Sequence, residues 1–196
     1  MMLTSDNVRV ALATNHTPIN KVSSELSKEL IVSKLKMLHR SLVQDFCITC
    51  PRIAVLALNP HSSDNGLIGD EEERIIKPAI SEANSVGIVC TGPLSADGFW
   101  GAGSYTKYDA ILAMYHDQGL APFKALFQDS GVNFTAGLRF VRTSPAHGTA
   151  YDLAGKNMAN HQSMLNAIYS AIDIVNNREI YSQISANPLR VEQHGE

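Results

Sequence analysis

Apolar positions recur with two different periods along this chain. In "NVRVALAT" and again in "RIAVLALNPH" they form short bare runs, the mark of strands buried on both faces. The first run ends at Asn15-His16-Thr17-Pro18, where proline forbids further pairing. From Asn20 the period lengthens, with Val22, Leu26, Leu30, Leu35, Leu38 and Leu42 at helical spacing among Lys, Glu and Ser. This predicts one amphipathic helix of about five to seven turns, capped by Asn20 or Ser23. After the second strand, the polar "SSDNGLIGDEEE" leads into a helix over 71–85, its acids suited to a first turn and Pro78 a kink or restart. "GIVCTGPL" and "DAILAMYH" are further strand candidates, followed by a short helix over 121–127, strands in "VNFTAGL" and "RFVRTS", and a last helix over 163–176. The order β-α-β-α-β-β-α predicts an α/β protein on a largely parallel or mixed sheet covered on both faces.

Composition narrows the possible partners. With 196 residues, 44% of them apolar and 18% charged, the chain can bury a sizeable core. A formal net charge of -3 provides no basic surplus for nucleic acid or an anionic membrane, and no apolar run approaches bilayer length. Cys47, Cys50 and Cys90 are too few and too unevenly spaced for a disulfide framework, and the first residues lack a signal-peptide layout, so a cytoplasmic location is expected. Cys47-Ile-Thr-Cys50 lacks the second ligand pair of a structural zinc site and the context of a redox motif. No internal repeat, linker or domain boundary stands out within 1–196.

Three of the apolar runs end alike, on a histidine: "VALATNH" at His16, "AVLALNPH" at His61 and "AILAMYH" at His116. Ligands of open α/β sheets bind beyond the carboxyl ends of strands, so these imidazoles could converge and hold a divalent cation such as zinc. A loop histidine taken singly is more often a surface hydrogen-bonding group. Asp117 beside His116, and Asp97 in "PLSADGF", are candidates for ligands, orienting groups or proton acceptors. "HGTAYDLAGKNMAN" combines glycines, small residues and Asp152 in a loop that a phosphate-bearing ligand could approach, although glycine-rich loops are usually only loops. Lys124 and Arg142 could clamp a phosphate or carboxylate, or make ordinary surface salt bridges.

Taken in order, "LNPH", "GDEEERIIKPAI", "GPLSAD", "DAILAMYHDQG", "VNFTAGL", "RTS" and "HGTAYDLAG" resemble the 4-hydroxythreonine-4-phosphate dehydrogenase family across nearly the whole chain. The resemblance implies an isocitrate/isopropylmalate dehydrogenase-like α/β/α sandwich with a mixed, largely parallel sheet. It implies a metal (zinc, magnesium or cobalt) on His16, His61 and His116, with Asp97 and Asp117 as nearby acids. Lys124, Asn133 and Arg142 match the substrate contacts. The loop that includes His147, Gly148, Thr149, Asp152 and Asn160 is expected to take NAD or NADP. The implied reaction oxidises 4-phosphohydroxy-L-threonine to 2-amino-3-oxo-4-phosphooxybutanoate, which decarboxylates to 3-amino-2-oxopropyl phosphate in pyridoxal 5'-phosphate biosynthesis. Family members are homodimers with the metal site at the interface.

Full-length relatives carry a substantial N-terminal part ahead of "VALATNH", including a substrate-contacting His-Thr pair, so this chain is similar to their second part only. Ser62-Ser63-Asp64 stands where the family has Ala-Gly-Glu, "SADG" replaces "PADT", "GLAPFK" replaces "GLPVLK", and Ala146 replaces an aspartate. Two alternatives follow: a related dehydrogenase for a threonate or erythronate 4-phosphate, and a truncated, inactive dimerising module.

Overall fold

The first strand expected from the sequence is one half of a hairpin. The computed structural model describes residues 1–5, 8–149 and 151–188. In it β1 (Met2–Ser5) turns back on β2 (Val8–Leu12), pairing antiparallel from Met2–Ala11 to Ser5–Val8. All four β1 residues are buried, and β1 also pairs antiparallel with β6 (Val132–Phe134). No part of β1 was anticipated. Its run of Met, Leu, Thr and Ser carries little strand signal, and its burial comes from lying between its hairpin partner β2 and the distant β6.

The single long helix expected from Asn20 is broken. A 3-10 turn (Ile19–Lys21) and a one-turn α1 (Val22–Glu25) precede an extended link at Leu26 and Ser27, and α2 then runs over Lys28–Asp45. The cap is Ser27, whose Oγ accepts the N–H of Leu30 at 3.1 Å, rather than Asn20 or Ser23. A serine at this position satisfies one of the helix's open donors, which competes successfully with continuing the helix. Ile31, Val32, Leu35, Leu38 and Leu42 form the buried face of α2, and burying each contributes roughly 1.5–3 kcal/mol.

Strands β3 (Ile53–Leu56), β4 (Cys90–Leu94) and β5 (Ala110–Ala113) complete the parallel part of a sheet ordered β4-β3-β5-β2-β1-β6-β7, β7 being Thr143–Pro145. β2, β5, β3 and β4 run parallel, whereas β1, β6 and β7 join through antiparallel pairs. Alternation along the central strands builds two cores. Ile53, Val55, Ala110 and Leu112 face α2, α3 (Lys77–Ser85) and α6 (Gln162–Ser185). Ala54, Leu56, Ile111 and Ala113 face α4 (Ala96–Gly101) and α5 (His116–Phe127). The sandwich agrees with the fold expected from the resemblance.

Four further boundaries differ from expectation. The 71–85 helix carries a π-helical turn (Glu72–Ile76) that runs without a break into α3, so Pro78 lies within a continuous helix. "SADGFW" forms α4, a helix not anticipated. α5 begins at His116 instead of Ala121, so "DAILAMYH" is a strand only to Ala113. α6 extends to Ser185, nine residues past the expected end at Asn176. Among the described residues, no helix is long and apolar enough to cross a membrane.

Candidate functional site

The carboxyl ends of the four parallel strands carry the candidate residues in spatial order. β2 leads to His16, β5 to His116, β3 to His61 and β4 to Asp97. Pairing of β2 with β5 continues past both strands: Ala13 N–H donates to Ala113 O at 2.8 Å, Thr14 N–H to Met114 O at 3.2 Å, and the Thr14 hydroxyl to the same oxygen at 2.8 Å. This zipper delivers His16 and His116 side by side, with ring centroids 5.8 Å apart and planes inclined by 39°. Together with Asn15, Thr17, Ile19, Tyr115 and Asp117 they line a cleft of about 380 Å³.

His116 opens α5 after an extended Tyr115, and its Nδ1 lies 2.7 Å from Asp117 Oδ1. A carboxylate at Nδ1 favours the tautomer protonated there, leaving the Nε2 lone pair available to an electrophile. Gln118, buried, fastens the two neighbouring strand ends. Its Nε2 donates to Ala57 O beyond β3 at 2.6 Å, and its Oε1 accepts from Met114 N–H beyond β5 at 2.7 Å.

His61 sits in a turn of unusual backbone. His61, Ser62, Ser63, Asp64 and Asn65 all have positive φ, between 44° and 66°. The left-handed conformation costs roughly 1–2 kcal/mol per L-residue, and such strain concentrates at functional sites. The Ser62 hydroxyl ties this turn to Pro93 O at 3.2 Å, next to the segment that leads to Asp97. The Ser95 hydroxyl donating to Asp97 at 2.6 Å, and then the Gly98 N–H, hold the Asp97 carboxyl below its ordinary value, with a smaller contribution from His61.

The donor set suits a divalent cation, since it combines imidazoles, one with an oriented Nε2, and carboxylates. Asn15 Oδ1, in the wall of the same cleft, is a buried acceptor with no hydrogen-bond partner among the described residues. The structure brings two of the three predicted ligands together. Among the described residues, no three His, Cys, Asp or Glu side chains are placed to hold one ion, so His61 stands one strand away from the pair.

The other predicted residues are spread more widely. Lys124 lies on α5 itself, exposed, eight residues from His116 and thus ~12 Å along the helix axis, not across a loop. Asn133 is on β6 with Oδ1 buried and lacking a partner among the described residues. Arg142 is exposed and donates to Thr135 Oγ1 at 2.9 Å. His147 and Thr149, with Gly148 between them, border a separate cleft of about 490 Å³ whose far side is Leu153 to Asn157. Asp152 and Asn160 do not line it, and Asn160 Oδ1 accepts the N–H of Gln162 at the start of α6. Ala150 of this loop lies outside the described residues. A cleft of about 950 Å³, lined by α2, α6 and residues 137–139, includes none of the predicted site residues.

Residues unnoticed in the sequence do much of the positioning: Asn59, Glu72 and Gln118. The available signals were the acidic run "GDEEE", of which Glu72 alone is fully buried, and a glutamine placed three residues into a helix from a strand end.

The chain is similar in sequence and fold to known proteins. The sequence profile described as "Pyridoxal phosphate biosynthetic protein PdxA" matches residues 1–171. The chain is 56% identical over 194 residues to 4-hydroxythreonine-4-phosphate dehydrogenase of Bacteroides thetaiotaomicron, covering 99% of this chain and 53% of that protein. The crystal structure of 4-hydroxythreonine-4-phosphate dehydrogenase from Klebsiella pneumoniae superposes with a TM-score of 0.77 at 37% identity, over 88% of this chain and 53% of the other. A terephthalate 1,2-cis-dihydrodiol dehydrogenase from Burkholderia xenovorans is similar with a TM-score of 0.69 at 26% identity, over 87% and 54%. The chain spans about half the length of the curated relatives it matches. With the profile covering most of the chain and more than half of its residues shared with a full-length member, this chain belongs to the PdxA family of pyridoxal phosphate biosynthetic proteins.

Proposed function

We propose that this chain carries out, in the cytoplasm, the metal-dependent, NAD(P)-linked oxidation of 4-phosphohydroxy-L-threonine in pyridoxal 5'-phosphate biosynthesis. The observation that carries the reading is the His16–His116 pair with Asp117 at one strand-end cleft, in a chain of this family. His16 and His116 would hold a zinc, magnesium or cobalt ion, with His61 as third ligand. A divalent cation lowers the pKa of a bound alcohol, and NAD(P) accepts hydride.

The chain's own residues supply position and charge. Asp117 holds the His116 ring so that Nε2 faces outward. Asp97, kept ionised by Ser95 and Gly98, is the acceptor for the proton of the substrate's 3-hydroxyl. Lys124 and Arg142 oppose the charges of phosphate and carboxylate, and Asn133 Oδ1 accepts from a substrate donor. His147, Gly148, Thr149, Asp152 and Asn160 form the loop for the cofactor. The product, 2-amino-3-oxo-4-phosphooxybutanoate, then loses carbon dioxide to give 3-amino-2-oxopropyl phosphate. The reading includes a homodimer with the metal site at the interface, supported by Ile19, which is 72% exposed on the rim of the histidine cleft.

The test is reduction of NAD or NADP by the purified chain with 4-phosphohydroxy-L-threonine and added metal, with His116→Ala as control. Turnover in the parent and its loss in the variant are expected. Stoichiometric metal uptake without turnover overturns the activity and favours an inactive dimerising module. Turnover of a threonate or erythronate 4-phosphate instead would reassign the substrate.

A further inference from the structure

Behind the His61 turn lies a group of acids that the reaction does not use. Glu72 is fully buried, and no Lys or Arg pairs with it among the described residues. An isolated buried carboxylate is costly unless N–H donors satisfy it. Here Glu72 Oε1 accepts the backbone N–H groups of Leu58 at 2.8 Å and Asn59 at 2.7 Å, the two residues that precede Pro60-His61. Its Oε2 accepts from Asn59 Nδ2 at 2.9 Å. The second proton of that amide goes to Glu71 Oε2 at 2.7 Å, and Glu71 Oε1 accepts from the hydroxyl of Ser23 in α1. Only an NH₂ group can serve two carboxylates at once, which fixes the orientation of the Asn59 amide.

The chain Ser23–Glu71–Asn59–Glu72 thus joins the helix that follows the His16 loop to the loop that carries His61. Two independent features show that the backbone is arranged around it. Glu72 opens a π-helical turn, a rare form that is frequent at functional sites. Gly69 has φ +86°, and a Cβ there would lie 2.5 Å from Asn59 Nδ2 and 2.7 Å from Glu71 Oε2.

We infer that Glu72, with Asn59 and Glu71, is a positioning clasp that sets the His61 imidazole relative to His16 and His116. The inference deepens the metal-site reading and rests on it. In Glu72→Gln the amide nitrogen faces Asn59 Nδ2, donor against donor, with little change of volume.

The experiment is calorimetric titration of Zn²⁺ into the full chain, for the parent, Glu72→Gln, His61→Ala and the double variant, with melting curves alongside. Loss of an outer support of a metal ligand typically weakens affinity 10–100-fold, and that loss is expected for Glu72→Gln. In the His61→Ala background the same change is expected to have no further effect. An equal loss in both backgrounds, or none in either, overturns the clasp. Gly69→Ala leaves both carboxylates in place, is expected to reproduce the loss, and decides the matter if Glu72→Gln does not fold.

The histidine ¹H–¹⁵N spectrum separates this inference from the metal reading. If the parent takes up no Zn²⁺, that reading fails by itself. The clasp then stands if Glu72→Gln shifts the His61 resonances and exposes the Leu58 and Asn59 amides to exchange, and falls if both match the parent.

Discussion

Alanine for glycine inside a helix ordinarily stabilises by about 1 kcal/mol, yet Gly119→Ala is expected to destabilise this protein. Gly119 sits in the first half of α5, where the helix rests on β2 and β5. A Cβ built there would lie 2.8 Å from Val10 Cγ1, 2.9 Å from Ala113 Cβ and 3.1 Å from Leu12 Cδ2. Val10 and Ala113 are 0% exposed and belong to central strands, so neither has room to withdraw. Overpacking a filled core costs about 1–3 kcal/mol, and two contacts this short argue for the upper half of that range. The net loss is about 1–2 kcal/mol, a fall in Tm of roughly 3–6 °C for a chain of this size.

Gly98 in α4 provides the internal control, because nothing lies within 4 Å of its added Cβ. Gly98→Ala should therefore keep the helical gain and raise stability by up to ~1 kcal/mol. Urea unfolding of parent and both variants, with equal m-values, measures the two effects with opposite signs. A Gly119→Ala midpoint at or above the parent's would refute the packing argument. Because α5 begins at His116, an outward step of the helix should also disturb the His16–His116 pair, read as weaker Zn²⁺ binding.

Other expectations follow from single contacts. Gln118→Leu leaves Met114 N–H and Ala57 O unpaired in the interior, costing about 2–4 kcal/mol by urea unfolding, more than an apolar substitution of equal burial. Arg178→Met leaves the buried Asp45 carboxylate with only the Ser41 hydroxyl among the described residues. Arg178 is itself a quarter exposed, which reduces the usual cost of a broken buried pair to about 2–3 kcal/mol. Burial pushes the Cys90 thiol up to about 11, so at pH ~8 a thiol reagent should modify the exposed Cys47 and Cys50 quickly and Cys90 only on unfolding. The sign is that of a raised acid: an unfolded thiol ionises near pH ~8.5, the folded one resists, and the contribution to stability is lost as pH rises from there towards 11.

Periodicity located elements well where one segment's own pattern decides its burial. β3 and β5 are bare apolar runs at the centre of the sheet, and α2 buries the leucines that its spacing selects. It failed where contacts that the apolar pattern does not express decide. β1 is a strand because β2 and β6 flank it, and the break at Leu26-Ser27 reflects a cap whose strength the leucine spacing cannot express. α5 was begun five residues late because "HDQGL" has no apolar rhythm. Each of its polar residues has a separate task there: Asp117 holds His116, Gln118 joins two strand ends, and Gly119 lets the helix approach the sheet.

The site divides along the same line. Placing a histidine beyond three of the four parallel strands was legible, because strand order and direction bring such ends to one edge. How near each imidazole comes to the next was not, and the reason is clearest at His61. Five successive left-handed residues cost several kcal/mol between them by the usual ~1–2 kcal/mol each, and none of the five is glycine. Local preference therefore opposes the turn, and something outside it must hold it. On one side Ser63 O accepts from Gly66 and Ile68, on another Ser62 reaches Pro93, and ahead of it Glu72 grips Leu58 and Asn59. The position of His61 is thus written less in "LNPHSSDN" than in "GDEEE" some ten residues later, in a carboxylate that reads from sequence as one more charge on a helix surface.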